Sequence, residues 1–396
     1  MNLSSLAPQA PEFVVSADVD RIVRASRRSQ QPQSSADLVS LAMGEPNFDT
    51  PEQVRAEATR SMQSGRTHYS PLFGESNLRD ALAGRIGALA GQDVSAADVL
   101  ITQGGTAGLA AAILSIVNPG DRVVMPDPTY SLYSDLVSMA GGVCVHVPLA
   151  GDLHWDLDKL AGALGGAKLF VFCNPSNPTG IVHSREELEA LGQILDGSDT
   201  IVISDEAYSD LVYTDAPFTS ALEVPSLRAR TIYCQTFSKS YAMTGWRVGY
   251  LWGPSDLIQA AAKIHNTFNG SMNTFVQDAA LVALETCGPD IERMHAAYSV
   301  RREIMQAGLE KIDGLTLSAP EGAFYFFPKY DLDILSAELT NRLRELGVAV
   351  RPGGEFGPSG EYHLRLSYAG SEESIRIGTE RLAAGLDVIR AQLSRE

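Results

Sequence analysis

The chain has 396 residues, of which 44% are hydrophobic and 20% are charged. This length and composition predict a globular protein with one large and one small domain. The formal net charge of −17 opposes nonspecific binding to nucleic acid or to anionic membranes. We therefore expect neither of them as a partner.

The four cysteines (Cys144, Cys173, Cys234 and Cys287) are scattered and form no CxxC pair. Three of them lie in apolar runs that resemble strands, which is typical of small buried side chains. This pattern favours a reducing cytoplasm and argues against a zinc site, so we expect no metal. The N-terminus lacks the basic start and apolar core of a signal peptide.

Taken in order, the chain begins with a loose arm over residues 1–12, followed by a helical pattern up to about residue 28. From Val99 onward, short apolar strands alternate with helical patterns, which predicts an α/β fold with a mostly parallel sheet. Ligands of such sheets bind at the carboxyl ends of the strands. Beyond Gly253, long helices and short strands predict a second, smaller α+β domain. We expect residues 13–47 to join the small domain, residues 48–288 to form the large domain and residues 289–396 to complete the small one.

The stretch from 231 to 250 combines a short apolar strand with Lys239 and, eight residues later, Arg247. A lysine at a strand end can be desolvated, and this lowers its pKa and makes it a nucleophile toward carbonyl groups. An arginine is the preferred bidentate partner of a phosphate. Together they suggest pyridoxal phosphate, although the pair alone would also fit an ordinary surface Lys and Arg beside a strand.

Two further motifs follow predicted strands and open predicted helices. Gly104 to Ala107 would place free backbone N–H groups at a helix N-terminus, which suits a phosphate. A structural tight turn is the alternative. Tyr130 heads the next helix, where it could stack on a flat cofactor ring or simply pack locally.

Polar residues end two more strands. Asn174 to Gly180 contains two Asn-Pro steps, which force a rigid extended loop and favour a fixed polar role for Asn177. Ser204 to Tyr208 places Asp205 and Glu206 at a strand end, where a carboxylate could bind a metal, act as a base or pair with a ligand cation. No histidine follows closely enough to support a metal cluster.

With these motifs assembled, the chain resembles the fold-type I pyridoxal-phosphate enzymes. Within that group it is similar to the class I and II aminotransferases of the aspartate aminotransferase superfamily. The resemblance extends from GEPNFDTP near residue 44 to RLSYA near residue 365, and SKxxxxxGWRxG with NPxNPTG and DEAY is highly specific. It implies a cytoplasmic homodimer that exchanges an amino group between an L-amino acid and a 2-oxo acid.

The resemblance also implies roles for single residues. Lys239 would form the internal aldimine with pyridoxal 5'-phosphate and then move the proton between the substrate Cα and the cofactor C4′. Asp205 would keep the pyridine nitrogen protonated. Tyr208 and Asn177 would hydrogen-bond the phenolic oxygen of the cofactor, and Tyr130 would stack on its ring.

The remaining implied roles concern two anionic groups, the phosphate of the cofactor and the α-carboxylate of the substrate. The phosphate would be held by Gly105, Thr106, Ala107, Thr236, Ser238, Arg247 and, from across a subunit interface, Tyr69. The substrate would be held by Gly44, Asn177 and Arg365, with the arginine clamping the α-carboxylate in a bidentate pair.

One departure from the pattern of this family concerns the residues that would bind the substrate side chain. Relatives that prefer dicarboxylates hold the second carboxylate with a basic residue, but residues 264–276 contain no Arg or Lys and position 106 is Thr. This argues against a strict dicarboxylate preference. A lyase, decarboxylase or oxidase would share the cofactor residues and stays an alternative. A cofactor-sensing regulator is disfavoured, because its DNA-binding domain would precede the resemblance and fewer than 50 residues precede Gly44.

Overall fold

The structure is a computed structural model, and it describes residues 14–28 and 37–395. The predicted arm at 1–12 lies outside these described residues. No helix in the described part of the chain is both long and apolar enough to cross a membrane.

Short strands and longer helices alternate along the described chain. The strands are β1 Val39–Ser40, β2 Val99–Thr102, β3 Arg122–Asp127, β4 Val143–Pro148, β5 Leu169–Cys173, β6 Ile201–Asp205, β7 Thr231–Thr236, β8 Gly249–Trp252, β9 Leu315–Thr316, β10 Tyr325–Phe326, β11 Lys329–Tyr330, β12 Val348–Ala349, β13 Arg351–Pro352 and β14 Leu364–Ser367. The helices are α1 Ala17–Ala25, α2 Glu52–Gln63, α3 Ser76–Ala90, α4 Gly104–Ile116, α5 Leu132–Met139, α6 Leu157–Leu164, α7 Arg185–Ile194, α8 Pro225–Arg228, α9 Phe237–Ser240, α10 Ser255–Asn269, α11 Thr274–Thr286, α12 Gly288–Leu309, α13 Ser336–Glu345 and α14 Glu372–Leu393.

Seven of these strands form one sheet in the order β2-β8-β7-β6-β5-β3-β4. Every neighbouring pair is parallel except the two pairs made by β8, which runs antiparallel to β2 and β7. The central strands are buried along their whole length, because helices cover both faces of a doubly wound sheet. The predicted α/β class and mostly parallel sheet are confirmed.

The second group of elements is built from short strands around α12, α13 and α14. Strands β10, β14 and β13 form a small antiparallel sheet, and β11 pairs with β9. Helix α1 packs against α5, where Arg21 Nε donates to the Ser138 carbonyl oxygen at 2.7 Å, whereas strand β1 pairs in parallel with β12 of the C-terminal elements. This pairing supports the assignment of residues 37–47 to the small domain, although the exact domain boundaries stay a prediction.

Local sequence signals explain where several helices begin. Ser184 accepts a hydrogen bond from the Glu187 N–H and the Glu187 carboxylate accepts one from the Ser184 N–H, which is a complete capping box at the start of α7. The Asp156 side chain caps the start of α6 by accepting a hydrogen bond from the Lys159 N–H. In contrast, the side chain of Gln103, the N-cap residue of α4, makes no capping hydrogen bond. The first N–H groups of α4 are therefore available to a ligand.

Candidate active site

A cavity of about 310 Å³ opens at the carboxyl ends of β5, β6 and β7, beside the small C-terminal sheet. The residues that line it come from both groups of elements and include most of those predicted from the sequence. They are Gly44, Gly105, Thr106, Tyr130, Asn177, Asp205, Tyr208, Thr236, Ser238, Lys239, Arg247 and Arg365. Crossover connections bring these strand ends to one edge, although the residues are far apart in the sequence.

Lys239 lies on the single helical turn α9, immediately after β7. Its Nζ donates a hydrogen bond to the Gly44 carbonyl oxygen at 2.6 Å. Burial lowers the pKa of Lys239 to about 8, and the nearby cations Arg365 and Arg247 act in the same direction. A substantial fraction of this amine is therefore neutral near physiological pH, as a nucleophile requires.

Asp205 ends β6 and is buried. Its Oδ2 accepts a hydrogen bond from the Tyr133 hydroxyl at 2.8 Å, and its Oδ1 accepts one from the Ala207 N–H at 3.3 Å. Burial raises the pKa of Asp205 to about 6, whereas the Tyr133 hydrogen bond and the charge of Lys239 oppose that rise. Such a carboxylate would be stabilised further by a ligand cation.

Arg365 is buried on β14 and points into the cavity. Its Nη1 donates to Asn177 Oδ1 at 3.0 Å and its Nη2 donates to the Ala42 carbonyl oxygen at 2.8 Å. Within the described part of the chain, its Nε is buried without a hydrogen-bond partner. A buried donor of this kind is costly unless a ligand pairs with it, so the guanidinium is prepared for an anion.

The start of α4 and Arg247 form a second group of hydrogen-bond donors at the cavity. Arg247 lies so close to this helix start that a Cβ added to Gly104 would be 2.7 Å from its Nη2. Gly104 also has a φ of +77°, which other residues adopt only with strain. The hydroxyl groups of Thr236 and Ser238 are 2.9 Å apart beside this helix start. Backbone N–H groups, an arginine and two hydroxyls are a typical phosphate-binding set.

Two tyrosines support the middle of the cavity. Tyr130 lines one wall, and its ring packs edge-on against Tyr133 at a centroid distance of 5.6 Å. Tyr208 also lines the cavity, and its ring centroid is 5.9 Å from the Lys239 Nζ. The hydroxyl of Tyr208 is hydrogen-bonded to that of Tyr325 at 2.8 Å.

Two predicted residues do not contribute side chains to the cavity of their own chain. Tyr69 is 97% exposed on the loop before α3, beside a shallow depression formed with residues 271–275. Ala107 lies on the first turn of α4, next to the cavity-lining Gly105 and Thr106, and only its backbone N–H could serve an anion. Both positions agree with the predicted roles but do not test them.

Sequence reasoning missed several residues of the site. Tyr133 holds Asp205, and Tyr325 contacts Tyr208, yet tyrosines inside apolar runs give no functional signal. Arg28 and Arg351 also line the cavity; Arg28 lies 4.0 Å from Asp135, and Arg351 is paired with Glu355. These arginines weaken the argument against acidic substrates, which considered only position 106 and residues 264–276.

One cluster outside the cavity has the side chains of a metal site. It consists of His154, His183 and Glu187 and is the one found among the described residues. The Glu187 carboxylate already accepts hydrogen bonds from both imidazoles, at 3.0 and 3.2 Å. Hydrogen bonding within the cluster therefore already engages the Glu187 carboxylate.

The chain matches the family model described as aminotransferase class I and II over residues 36–382. It is 37% identical to a putative aminotransferase of Bacillus subtilis, with 87% of this chain and 90% of the relative covered. It is also 37% identical to the aspartate/prephenate aminotransferase of Thermus thermophilus, with coverage of 89% and 91%. The structure of an aromatic aminotransferase from Pyrococcus horikoshii superimposes with a TM-score of 0.87 at 32% identity, covering 94% of this chain and all of the other.

These matches extend over most of the chain and include both the sheet and the C-terminal elements. The neighbouring structures are fold-type I enzymes, and members of the matched family use pyridoxal phosphate. The chain belongs to the class I and II aminotransferases and is a pyridoxal-phosphate-dependent enzyme of fold-type I.

Proposed function

We propose that the cavity at the sheet edge is the active site and that Lys239, Asp205 and Arg365 carry its chemistry on an L-amino acid and a 2-oxo acid. The observation that carries this proposal is the convergence of a neutralisable amine, a buried carboxylate and an arginine with a free Nε in one cavity of about 310 Å³. When bound, pyridoxal phosphate supplies an aldehyde for the amino group and a ring that accepts the electrons of the broken Cα–H bond.

The residues fit that cofactor at each of its polar groups. The uncapped start of α4, with Arg247, Thr236 and Ser238, offers donors for the phosphate. The Asp205 carboxylate would pair with the ring nitrogen and hold a proton there, since a buried carboxylate is stabilised by an adjacent cation. Tyr208 and the amide nitrogen of Asn177 would donate to the phenolic oxygen.

Lys239 would act twice, as the amine that binds the cofactor and as the base that moves the substrate proton. Its low pKa, caused mainly by burial, makes the free amine available for both tasks. The Gly44 carbonyl accepts its hydrogen bond and orients it in the cavity. Arg365 would hold the α-carboxylate beside it and thereby position the Cα–H bond.

The rate of cofactor uptake should reveal this low pKa. With a pKa of about 8 rather than the usual 10.5, the neutral fraction of Lys239 should rise about tenfold per pH unit below pH 8 and then level off. Cofactor-free protein should therefore incorporate pyridoxal phosphate with that pH profile, once corrected by the profile of Nα-acetyl-lysine. A rate that keeps rising to pH 10 would contradict a depressed pKa.

Replacing Arg365 should weaken the binding of every substrate by a similar factor. Arg365→Ala removes the donor of a buried charged pair, and such truncations cost about 2–5 kcal/mol. We expect kcat/KM to fall by the factor that corresponds to this free energy for all amino acids and 2-oxo acids, because the α-carboxylate is common to them. Amines without a carboxylate are the control, and their slow reaction should be unaffected. A change in substrate order, rather than a uniform loss, would show that Arg365 contacts a side chain.

The half-reaction tests transamination against the other reactions of this fold. Stoichiometric amino acid added to the enzyme without an acceptor should yield pyridoxamine phosphate and one 2-oxo acid per active site. Release of carbon dioxide would indicate a decarboxylase. Release of ammonia with unchanged cofactor would indicate a lyase or an oxidase.

We further propose a homodimer in which each active site receives Tyr69 from the partner. Tyr69 is 97% exposed, and two apolar side chains of nearby segments, Leu72 and Phe268, are 56% and 72% exposed. Exposed apolar groups that cluster in this manner favour a covered surface. The phenol of Tyr69 could then donate a hydrogen bond to the phosphate held by Arg247 of the other subunit.

Mixed dimers test this arrangement. Lys239→Ala chains and Tyr69→Ala chains should form hybrids with one doubly damaged site and one native site. With equal, random mixing half of the dimers are hybrids, so activity should rise toward about a quarter of the wild-type value. Hybrids proven by mass spectrometry that show no gain over the separate parents would place Tyr69 in its own chain's site or in none.

The proposed substrate is an L-amino acid whose side chain is left open, and the proposed compartment is the cytoplasm. The names of the relatives include aspartate/prephenate and aromatic aminotransferases, so they do not select one class. Arg28 and Arg351 at the cavity wall leave acidic substrates open, against the expectation from position 106. The described cysteines are all free, and three are buried, which supports the proposed cytoplasmic location.

A further inference from the structure

Tyr325 connects groups to which the proposed mechanism gives separate roles. It lies on β10, is only 2% exposed, and lines the cavity. Its hydroxyl is 2.8 Å from that of Tyr208, and its ring lies under the Arg365 guanidinium, with Cζ 4.3 Å from the ring centroid. A single side chain therefore contacts both the phenol that faces the cofactor and the arginine that faces the substrate.

The direction of the hydrogen bond between the phenols follows from the task of Tyr208. If Tyr208 donates its only proton to the phenolic oxygen of the cofactor, its own oxygen must accept the proton of Tyr325. Hydrogen bonds in such a chain polarise one another, so the Tyr325 donor makes Tyr208 a stronger donor. Burial raises the pKa of both phenols, which keeps both protons in place.

The same residue supports the arginine. Strand β10 pairs with β14, which carries Arg365, and Tyr325 lies directly opposite Ser367. The guanidinium over the ring is a cation–π contact in a buried place, and the Phe356 ring also lies close to it, with its centroid 5.0 Å from Cζ. Contact with two rings leaves Arg365 little freedom to reorient.

Gly44 shows how tightly this tyrosine is held. A Cβ added to Gly44 would be 2.1 Å from the Tyr325 hydroxyl oxygen, so this position has room only for glycine. The Gly44 carbonyl in turn accepts the hydrogen bond of Lys239. The Tyr325 hydroxyl is thus confined between the Gly44 backbone and Tyr208.

We infer that Tyr325 is a positioning residue that strengthens the hydrogen bond of Tyr208 to the cofactor through its hydroxyl and fixes Arg365 through its ring. This inference rests on the proposed function of Lys239, Tyr208 and Arg365. The ionisable groups that face the two phenols are Arg365, Tyr130, Cys173 and, on the cavity side, Lys239.

The first test reads the absorption spectrum of the bound cofactor against pH. A donor to the phenolic oxygen stabilises its anionic form, so losing the Tyr325 hydroxyl should raise the midpoint of the spectral titration. For Tyr325→Phe we expect a rise of about half a unit to one unit, the equivalent of one hydrogen bond. In a Tyr208→Phe background the same substitution should change nothing, because the hydroxyl acts through Tyr208.

Tyr298→Phe is the matched control. The Tyr298 hydroxyl is also buried and has no hydrogen-bond partner among the described residues, so its removal should leave the midpoint unchanged. An equal shift in the two backgrounds, or no shift in either, would overturn the role of the Tyr325 hydroxyl. A wild-type protein without any cofactor absorbance would instead refute the proposed site itself.

The second test separates the ring from the hydroxyl by steady-state kinetics. Tyr325→Phe keeps the ring under Arg365, so kcat should fall several-fold while KM for the amino acid is unchanged. Tyr325→Leu removes the ring as well, so KM should also rise several-fold. Equal KM values for the two variants would overturn the support of Arg365 by Tyr325.

Discussion

Lys239→Ala should lose turnover by at least about 10⁴-fold while the protein keeps its fold. The substitution removes both the amine that binds the cofactor and the base that moves the substrate proton, and positioned general bases alone contribute about 10²–10⁴-fold. Little of the fold depends on this side chain, since among the described residues its hydrogen bond is the one to the Gly44 carbonyl oxygen. Steady-state assays and circular dichroism of the purified variant measure the two effects.

Lys263→Ala is the matched control for that experiment. Lys263 is exposed on α10 and does not line the cavity, so its removal should leave activity unchanged. A Lys239→Ala enzyme that retains a substantial fraction of wild-type kcat would show that another group performs the proton transfer.

Asp205→Ala should reduce kcat much more than it weakens substrate binding. The carboxylate would stabilise the positive charge on the ring nitrogen while electrons enter the ring, and one preorganised electrostatic group of this kind contributes about 2.7–4 kcal/mol. We therefore expect a fall of about 10²–10³-fold in kcat. Single-turnover kinetics should place the loss in the proton-transfer step.

Tyr133→Phe separates the charge of Asp205 from its orientation. This variant removes the 2.8 Å hydrogen bond to Oδ2 but keeps the carboxylate in place. Its effect should be smaller than that of Asp205→Ala, about 10–10²-fold, the range of one hydrogen bond to a charged group. An Asp205→Ala variant with near-normal kcat would show that another residue faces the ring nitrogen.

The position of the site was predictable because its central residues follow strands. Asp205 ends β6, and Asn177 and Lys239 lie within four residues after the ends of β5 and β7, so the parallel topology of these strands brings all three to one edge. The α/β alternation gives a strong sequence signal, since the buried strands are short apolar runs separated by helical segments. The short apolar strand predicted in the stretch from 231 to 250 is β7, Thr231–Thr236, and α9 begins immediately after it.

The residues that support the site were not predictable from local pattern. Tyr133 and Tyr325 lie within apolar runs, and only the tertiary fold brings their hydroxyls to Asp205 and Tyr208. Arg28 follows α1 and Arg351 begins β13, so neither belongs to a motif, although both reach the cavity wall. Such residues act through contacts that depend on packing between distant segments.

The identity of the lysine that binds the cofactor tests the proposed active site most directly. Borohydride reduction of the purified enzyme with pyridoxal phosphate, followed by proteolysis and mass spectrometry, should fix the cofactor to the peptide that contains Lys239, at about one cofactor per chain. The partly buried amine beside the Gly44 carbonyl, with a pKa lowered to about 8, is the reason for that expectation. Stoichiometric modification of a different lysine, with Lys239 unmodified, would contradict the proposed site.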